Sequence, residues 1–216
     1  MIIKRSNLLL ALSLSAFILI SSCDDGKKKE EQTRIEAERV EKDNAEAARV
    51  EREAKAAEEL KIKEEARTNS IAGKAMANKD LSTLNNALIA ADLSSMLSEP
   101  GEYTIFAPSN QAFEKLPQKK RDELMKPENK EMLTEVLTYH VIPGVITSDE
   151  LAAAIKGANG SYTFKTVKGE ELTASMKGDQ YVIKDGSGKK AQVILGNVPA
   201  SNGIIYIIDT VLMSKK

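Results

Sequence analysis

From Lys27 to Arg67 the chain runs 41 residues without a glycine, a proline or an aromatic side chain, and carries 12 Lys+Arg against 13 Asp+Glu. A segment so poor in apolar area cannot build a core, so it is either one long solvated helix or an unfolded tail. Its alanines, glutamates, lysines and arginines have the best helix propensities, which favours the helix. Glutamate precedes a base by four residues at Glu30/Arg34, Glu38/Lys42, Glu51/Lys55 and Glu59/Lys63, and each such pair adds a few tenths of a kcal/mol. Val40, Ala47 and Ala54 recur every seven residues, with Val50 and Ala57 three places after the last two, but Asp43, Lys61 and Glu64 fall on the same seam. A weak coiled coil and a solvated single helix therefore both stay open. Continuous helix from Glu30 to Arg67 would reach about 57 Å at about 1.5 Å per residue. The expectation is a spacer, a charged helical stalk.

What precedes the spacer reads as an address. Lys4 and Arg5 lead an apolar run from Leu8 to Ile20, followed by Ser21, Ser22 and the only cysteine, Cys23. The run falls short of the ~20 residues that span a bilayer, so residues 1–22 are expected as a signal peptide rather than a permanent membrane helix. The order Leu19-Ile20-Ser21-Ser22-Cys23 resembles a bacterial lipobox, whose cysteine is lipidated and becomes the first residue of the mature protein. Cys23 is therefore expected to anchor the chain to a membrane, with residues 23–67 as the lipid-anchored spacer; the alternative is a soluble secreted protein with a free thiol. Several acyl chains on one cysteine meet the requirement that stable anchoring takes more than one chain. Asp24 resembles a retention signal in enteric bacteria and a surface-export signal in other bacterial groups. The expected location is the bacterial cell envelope, periplasmic face or cell surface.

Residues 68–216 differ in kind: they hold all five tyrosines, all six prolines, all but one of the 12 glycines, and 17 residues of each charge. This is the globular unit, and it is neutral, so nucleic-acid binding by phosphate neutralisation has no electrostatic motive. One cysteine and one histidine in the whole chain exclude an internal disulfide, a cysteine-built zinc site and multi-histidine metal centres. No metal and no cofactor is expected.

The first half of this unit reads as helices. Asp80 is placed to cap a segment with Leu81, Leu84, Leu88 and Ala91 on one face, and Met132, Leu133, Val136 and Leu137 repeat the pattern. Ser109 is placed to cap a short helix holding Phe113, and Thr147 with Glu150 makes a capping box before Leu151 and Ile155. Strands are expected at Tyr103 to Phe106 and Tyr139 to Ile142. The second half changes period: Tyr162, Phe164 and Thr166 alternate, and apolar runs follow at Tyr181 to Ile183, Val193 to Leu195 and Ile204 to Ile208. Lys168-Gly169, Lys177-Gly178 and Asp185-Gly186 punctuate them as hairpin turns. Helices first and a strand meander afterwards imply an α+β fold with a mixed or antiparallel sheet.

Three segments carry a family resemblance. Tyr103 to Phe113 (YTIFAPSNQAF) with Leu116-Pro117 is similar to the first signature of fasciclin-like domains. Leu137 to Gly144 (LTYHVIPG) resembles that family's central Tyr-His segment, and Ser201 to Leu212 (SNGIIYIIDTVL) its closing signature. With the opening helices over Ile71 to Leu97, the resemblance covers Thr68 to Met213. Tyr206 stands where many members have a histidine, and Ser214 follows Met213 where proline is frequent. The resemblance implies a fasciclin-like fold, helices packed on a wedge of mixed or antiparallel β-sheet, and an extracellular adhesion or interaction role with no catalytic activity. It carries a partner-binding role onto Tyr139 and His140 and the adjoining Leu137 to Gly144.

Read as chemistry, the residues offer little. There is no Gly-x-Ser-x-Gly elbow, phosphate loop or paired-histidine motif. A Ser-His-Asp constellation would have to draw on His140, Asp209 and a serine that nothing singles out. His140, between Tyr139 and Val141, is expected as a hydrogen-bonded structural histidine. Asp179 to Lys190 is expected as a solvated hairpin, since it lacks the spacing of a calcium or phosphate loop, and the Asn159-Gly160-Ser161 sequon is expected to be chance. Asn202-Gly203 reads as a turn before a buried strand, and Asp209 as a local acceptor for backbone amides. The expected function is a non-catalytic envelope module binding an extracellular or periplasmic protein or glycan. The alternative is a carrier holding a lipid or pigment between the helices and the sheet. Oligomeric state is left open.

Overall fold

The structure, a computed structural model, describes residues 25–215; Cys23 and the expected signal peptide lie outside the described residues. The chain divides into two compact units, one ending at Ala56 and one spanning Ala57–Lys216.

Helix α1 spans Asp25–Thr68, and its bulky apolar side chains Ile35, Val40 and Val50 are exposed, as expected of a solvated helix with no core stripe. Of the four expected Glu-to-base pairs, Glu51–Lys55 closes at 2.9 Å, and Arg49 bridges Glu46 and Glu53 instead. These side chains are about two-thirds exposed, so each pair contributes tenths of a kcal/mol. No helix among the described residues is long and apolar enough to cross a membrane.

In the second unit, α2 (Ile71–Ala77), α3 (Ser82–Ala90), α4 (Asn110–Glu114), α5 (Gln118–Leu124) and α6 (Lys130–Tyr139) precede or interleave with strands β1 (Tyr103–Pro108) and β2 (Val141–Pro143). Helix α7 (Ser148–Gly157) then leads to β3 (Ser161–Lys165), β4 (Glu171–Lys177), β5 (Gln180–Lys184), β6 (Lys190–Ala200) and β7 (Gly203–Ile208). The seven strands form one sheet in the order β2-β1-β7-β6-β5-β4-β3. Only β1 and β7 run parallel; the other neighbours are antiparallel. This is the expected α+β arrangement with a mixed sheet.

Central strand β7 is buried along its whole length. Ile205 and Ile207 face one apolar cluster with Leu81, Leu84, Leu88, Leu133 and Leu137 from the helices. Ile204, Tyr206 and Ile208 face a second, with Phe106, Leu151, Ile155, Phe164, Leu172 and Ile183. Each such side chain contributes about 1.5 to 3 kcal/mol by leaving water. The register of β6 slips twice between Val193 and Val198, with Asn197 at φ +58°. The slip moves the strand's inward residues from the face shared with Ile208 to the face shared with Ile207, as bulges do.

Two of the expected caps form. Ser109 Oγ accepts from Ala112 N at 3.2 Å, and both halves of the Thr147/Glu150 capping box form. Other expectations need correction. Asn78, not Asp80, caps the turn over Lys79–Leu81, its Oδ1 accepting from Asp80 N at 2.9 Å. Met132 is 45% exposed, so the inward face of α6 is narrower than the pattern implied. Tyr162 is 39% exposed although it alternates with buried Phe164. The strand expected from Tyr139 begins only at Val141, because α6 continues through Tyr139 and His140 is its C-cap (φ −87°, ψ −5°). Leu133, Leu137 and Tyr139 keep the helical stripe buried, and β-branched Val141 and Ile142 then favour extension. The globular unit was expected from Thr68; the compact unit includes the last turns of α1 from Ala57, where Ser201 Oγ donates to the Ala66 carbonyl at 2.6 Å.

Candidate functional site

The α6–β2 junction carries the two residues marked by the Tyr-His segment. Both are buried: Tyr139 is 0% and His140 1% exposed. Tyr139 Oη donates to the Glu171 carbonyl at 2.9 Å and accepts from Gly186 N at 2.9 Å, so one hydroxyl ties α6 to β4 and to the β5–β6 turn. Burial pushes this phenol above its usual pKa.

His140 is held by both ring nitrogens. Leu212 N–H donates to Nε2 at 3.0 Å, so Nε2 is the acceptor and Nδ1 carries the proton, donated to the Val136 carbonyl at 2.7 Å. Val136 lies in the last turn of α6, where carbonyls lack intrahelical partners; the ring therefore caps its own helix and holds the C-terminal segment at once. Burial lowers its pKa from 6.5 to about 4, against the smaller pull of the Val136 bond and Asp185. As folded, the ring has no lone pair free to act as a base.

Asp185 completes this interior network, and the sequence did not mark it beyond a turn. Its Oδ1 accepts from Ser187 N (3.0 Å), Ser187 Oγ (2.7 Å) and Lys189 N (2.8 Å), and its Oδ2 from Met213 N (3.0 Å). The usable signal was the Asp-Gly-Ser order, since an aspartate at a turn accepts from amides two residues on. Four donors on a carboxylate that is buried describe a turn staple, and the Asp179 to Lys190 stretch is indeed a hairpin between β5 and β6.

The other candidates are engaged elsewhere. Asp209 accepts from Lys115 Nζ and Gln192 N, both at 2.8 Å, and from Thr210 Oγ1 at 3.0 Å. Burial would raise its pKa, but these donors outweigh it and hold the carboxyl below its usual value. Gln192 lies on β6, so Asp209 clamps a neighbouring strand rather than its own turn. Asp209 and His140 have separate partners, and the structure does not bring them together with a serine. Asn202 is buried: its Oδ1 accepts from Ile71 N at 2.8 Å while Nδ2 donates to Leu97 O (2.9 Å) and Glu99 O (3.0 Å). Gly203 beside it, at φ +153°, lies so close to β1 that a Cβ would stand 1.9 Å from Tyr103 O. Tyr206, at the position of a common family histidine, donates to Ile146 O at 2.9 Å.

Among the described residues no three His, Cys, Asp or Glu side chains gather to hold a metal ion. The space between helices and sheet is filled by the two apolar clusters. Concavities lie at the surface. One groove of about 460 Å³ runs between Ile62 and Ala66 of α1 and Pro100 and Ser201. A cleft of about 390 Å³ separates β2 from β3, lined by Ile142, Pro143, Val145, Tyr162, Thr163 and Lys165 among others.

With this architecture in hand, comparison with known proteins is decisive for class. The family model of the fasciclin domain matches residues 79–214, and the chain belongs to the fasciclin family. Protein sll1483 of Synechocystis sp. is 41% identical over 141 residues, which is 64% of this chain and 70% of that protein. Immunogenic protein MPB70 of Mycobacterium bovis is 36% identical, over 63% of this chain and 64% of its own length. Cell surface glycolipoprotein MPB83 of the same species is 34% identical, over 66% of this chain and 60% of its own. The chain thus spans less than two thirds of these mycobacterial relatives. A FAS1 domain pair from the insect cell adhesion molecule fasciclin I shares the fold, with a TM-score of 0.61 at 20% identity over 68% of this chain and 51% of that one.

Proposed function

We propose that the chain is a non-catalytic cell-envelope interaction module, a fasciclin domain carried on a lipid at Cys23 and a charged helical spacer, which binds an extracellular or periplasmic protein or glycan. The observation that carries this reading is the family itself, whose members matched here include a protein named as a cell surface glycolipoprotein and the domain pair of a cell adhesion molecule. The interior supports it: Tyr139 and His140 spend their polar atoms on backbone groups, and Asp185 and Asp209 on backbone amides, Lys115 and the neighbouring hydroxyls of Ser187 and Thr210, so the lone histidine has no hydroxyl to activate. Because Tyr139 and His140 are buried, they act on binding by shaping the surface above them.

Two measurements test the reading. The full chain, produced in a bacterium that processes lipoproteins, should partition with membranes and incorporate labelled fatty acid, and Cys23→Ser should abolish both. Retention of the variant in the membrane with unchanged labelling would end the anchor proposal. The immobilised full chain should then capture a protein or glycan from envelope extract that rebinds saturably when purified. Turnover of ester or glycoside substrates would overturn the non-catalytic reading, and a coloured or lipid molecule in the eluate would favour a carrier.

A further inference from the structure

The sheet has two free edges, β2 and β3, and it curls until they meet at one point, where Val167 N donates to Val141 O at 2.7 Å. The pairing goes no further. On β3 the orientation of the backbone is fixed by Thr166 N, which bonds Glu170 O at 2.8 Å toward β4. Peptide groups alternate along a strand, so Phe164 and Tyr162 also face β4 while Lys165 and Thr163 present N–H and C=O away from it, on the side Val167 uses. The contact of Thr163 Oγ1 with Thr173 Oγ1 at 3.4 Å agrees, since facing side chains approach most closely at non-hydrogen-bonded pairs. On β2, Phe106 N bonds His140 O at 2.9 Å and Gly144 N bonds Glu102 O at 2.8 Å, so Val141 and Pro143 face outward. Pro143 has no N–H to offer Lys165, and Gly144 at φ +94° turns the chain aside. The barrel therefore stays open over β3.

The open seam is the cleft between β2 and β3. Its lining includes Ile142, Val145, Ile146 and Ala154 and the exposed ring of Tyr162, while one wall carries the unpaired groups of Thr163 and Lys165. Lys165 has no carboxylate partner among the described residues, and Glu150 Oε2 is taken by Thr147.

We propose that this cleft receives an extended segment of a partner protein, which adds to the sheet along the outward edge of β3. The proposal rests on the interaction-module reading and commits it to a protein rather than a glycan. Main-chain groups spaced along a strand are complementary to another main chain, and side chains of alternate parity on that segment enter the apolar floor. Lys165 favours an acidic residue on the incoming strand, a pairing by charge. A second copy of this chain is the poorer occupant, because its β3 would bring β4 into a seam walled by Pro143 and Val145.

The test uses the full-length protein and a random heptapeptide display library, with selected peptides resynthesised and titrated by fluorescence anisotropy. Enriched peptides should alternate apolar residues and carry an acid. Thr163→Pro removes an outward N–H without touching the β3–β4 ladder, so it should weaken binding at least tenfold with the melting temperature little changed. Lys165→Glu should weaken acidic peptides severalfold. N-methylation of the peptide at alternate amides should abolish binding in one parity and spare it in the other. Absence of enrichment, or peptides that bind Thr163→Pro as well as wild type and tolerate methylation at both parities, would overturn the proposal. Concentration-dependent dimerisation lost in Thr163→Pro would assign the seam to a second copy and overturn it too. An envelope partner bound equally by Thr163→Pro would leave the module reading standing and sink this one.

Discussion

His140 is the only histidine of the chain, so stability between pH 7 and pH 5 reports on one buried ring. In the folded protein its pKa is lowered from 6.5 to about 4, whereas the unfolded chain protonates it near the ordinary value. Above pH 6.5 both states hold the neutral ring and the group adds no pH dependence. As pH falls from 6.5 to about 4 the unfolded state takes up a proton that the folded state refuses, so stability drops by up to about 1.4 kcal/mol per pH unit, about 3 kcal/mol in all. Below pH 4 both states are protonated and this loss ends. Asp209 and Glu150, whose pKa values are also lowered in the fold, act with the same sign in a more acidic window: their stabilisation is present above their unfolded values and is lost as pH falls through the carboxylate range. Urea titrations of wild type and His140→Gln at pH 7.5, 6.5, 5.5 and 4.5 separate the two. Wild type should hold nearly level from pH 7.5 to 6.5 and lose stability across the two steps below, and the glutamine variant should stay flat until carboxylates titrate. Removing the ring altogether orphans Leu212 N–H and Val136 C=O and leaves a cavity, so His140→Ala should cost about 3 kcal/mol at neutral pH, a fall in melting temperature of about 6 to 12 °C. Parallel pH slopes for wild type and His140→Gln would refute the reasoning, because the ring would then titrate alike folded and unfolded.

Two further outcomes are expected. A fragment from Ala57 to Lys216 should unfold cooperatively and be more stable than one starting at Thr68 by about 1 kcal/mol or more, because only the longer one keeps the Ser201–Ala66 hydrogen bond; thermal melts that coincide would contradict this. Gly203→Ala should destabilise by several kcal/mol or prevent folding, since its Cβ would overlap Tyr103 O, whereas Gly160→Ala, at φ +98° in open space, should cost about 1 to 2 kcal/mol; circular dichroism melts compare them.

What the sequence disclosed was local or periodic. Ser109 and the Thr147/Glu150 box declare themselves within four residues, and the alternation of β7 on two buried faces is visible as an unbroken apolar run. Asn78 and Asp80 are both good capping residues two places apart, and only the backbone decides between them. The strand expected from Tyr139 starts later for a similar reason: Thr138-Tyr139-His140-Val141-Ile142 suits extension, yet burial of Leu133, Leu137 and Tyr139 on one stripe holds the first two in the helix. The parallel β1–β7 pairing joins segments from opposite ends of the unit, and no short-range pattern encodes it.

The site residues were hidden by distance along the chain rather than by chemistry. His140 was read as a structural, hydrogen-bonded ring, but its partner Leu212 lies 72 positions away, Asn202 reaches Ile71 across 131, and Asp185 meets Met213 only after β6 and β7 have returned. One of these closures joins the Tyr-His segment to the closing signature, His140 Nε2 accepting from Leu212 N. The closures also turn Tyr139 and His140 inward, and on our proposal the partner is met instead where the sheet fails to close. That failure follows from Pro143, which follows the Tyr-His pair in the same segment and withholds the N–H that Lys165 would need. The segment that marks the family thus locks the core with two of its side chains and, three residues after His140, opens the seam beside β3.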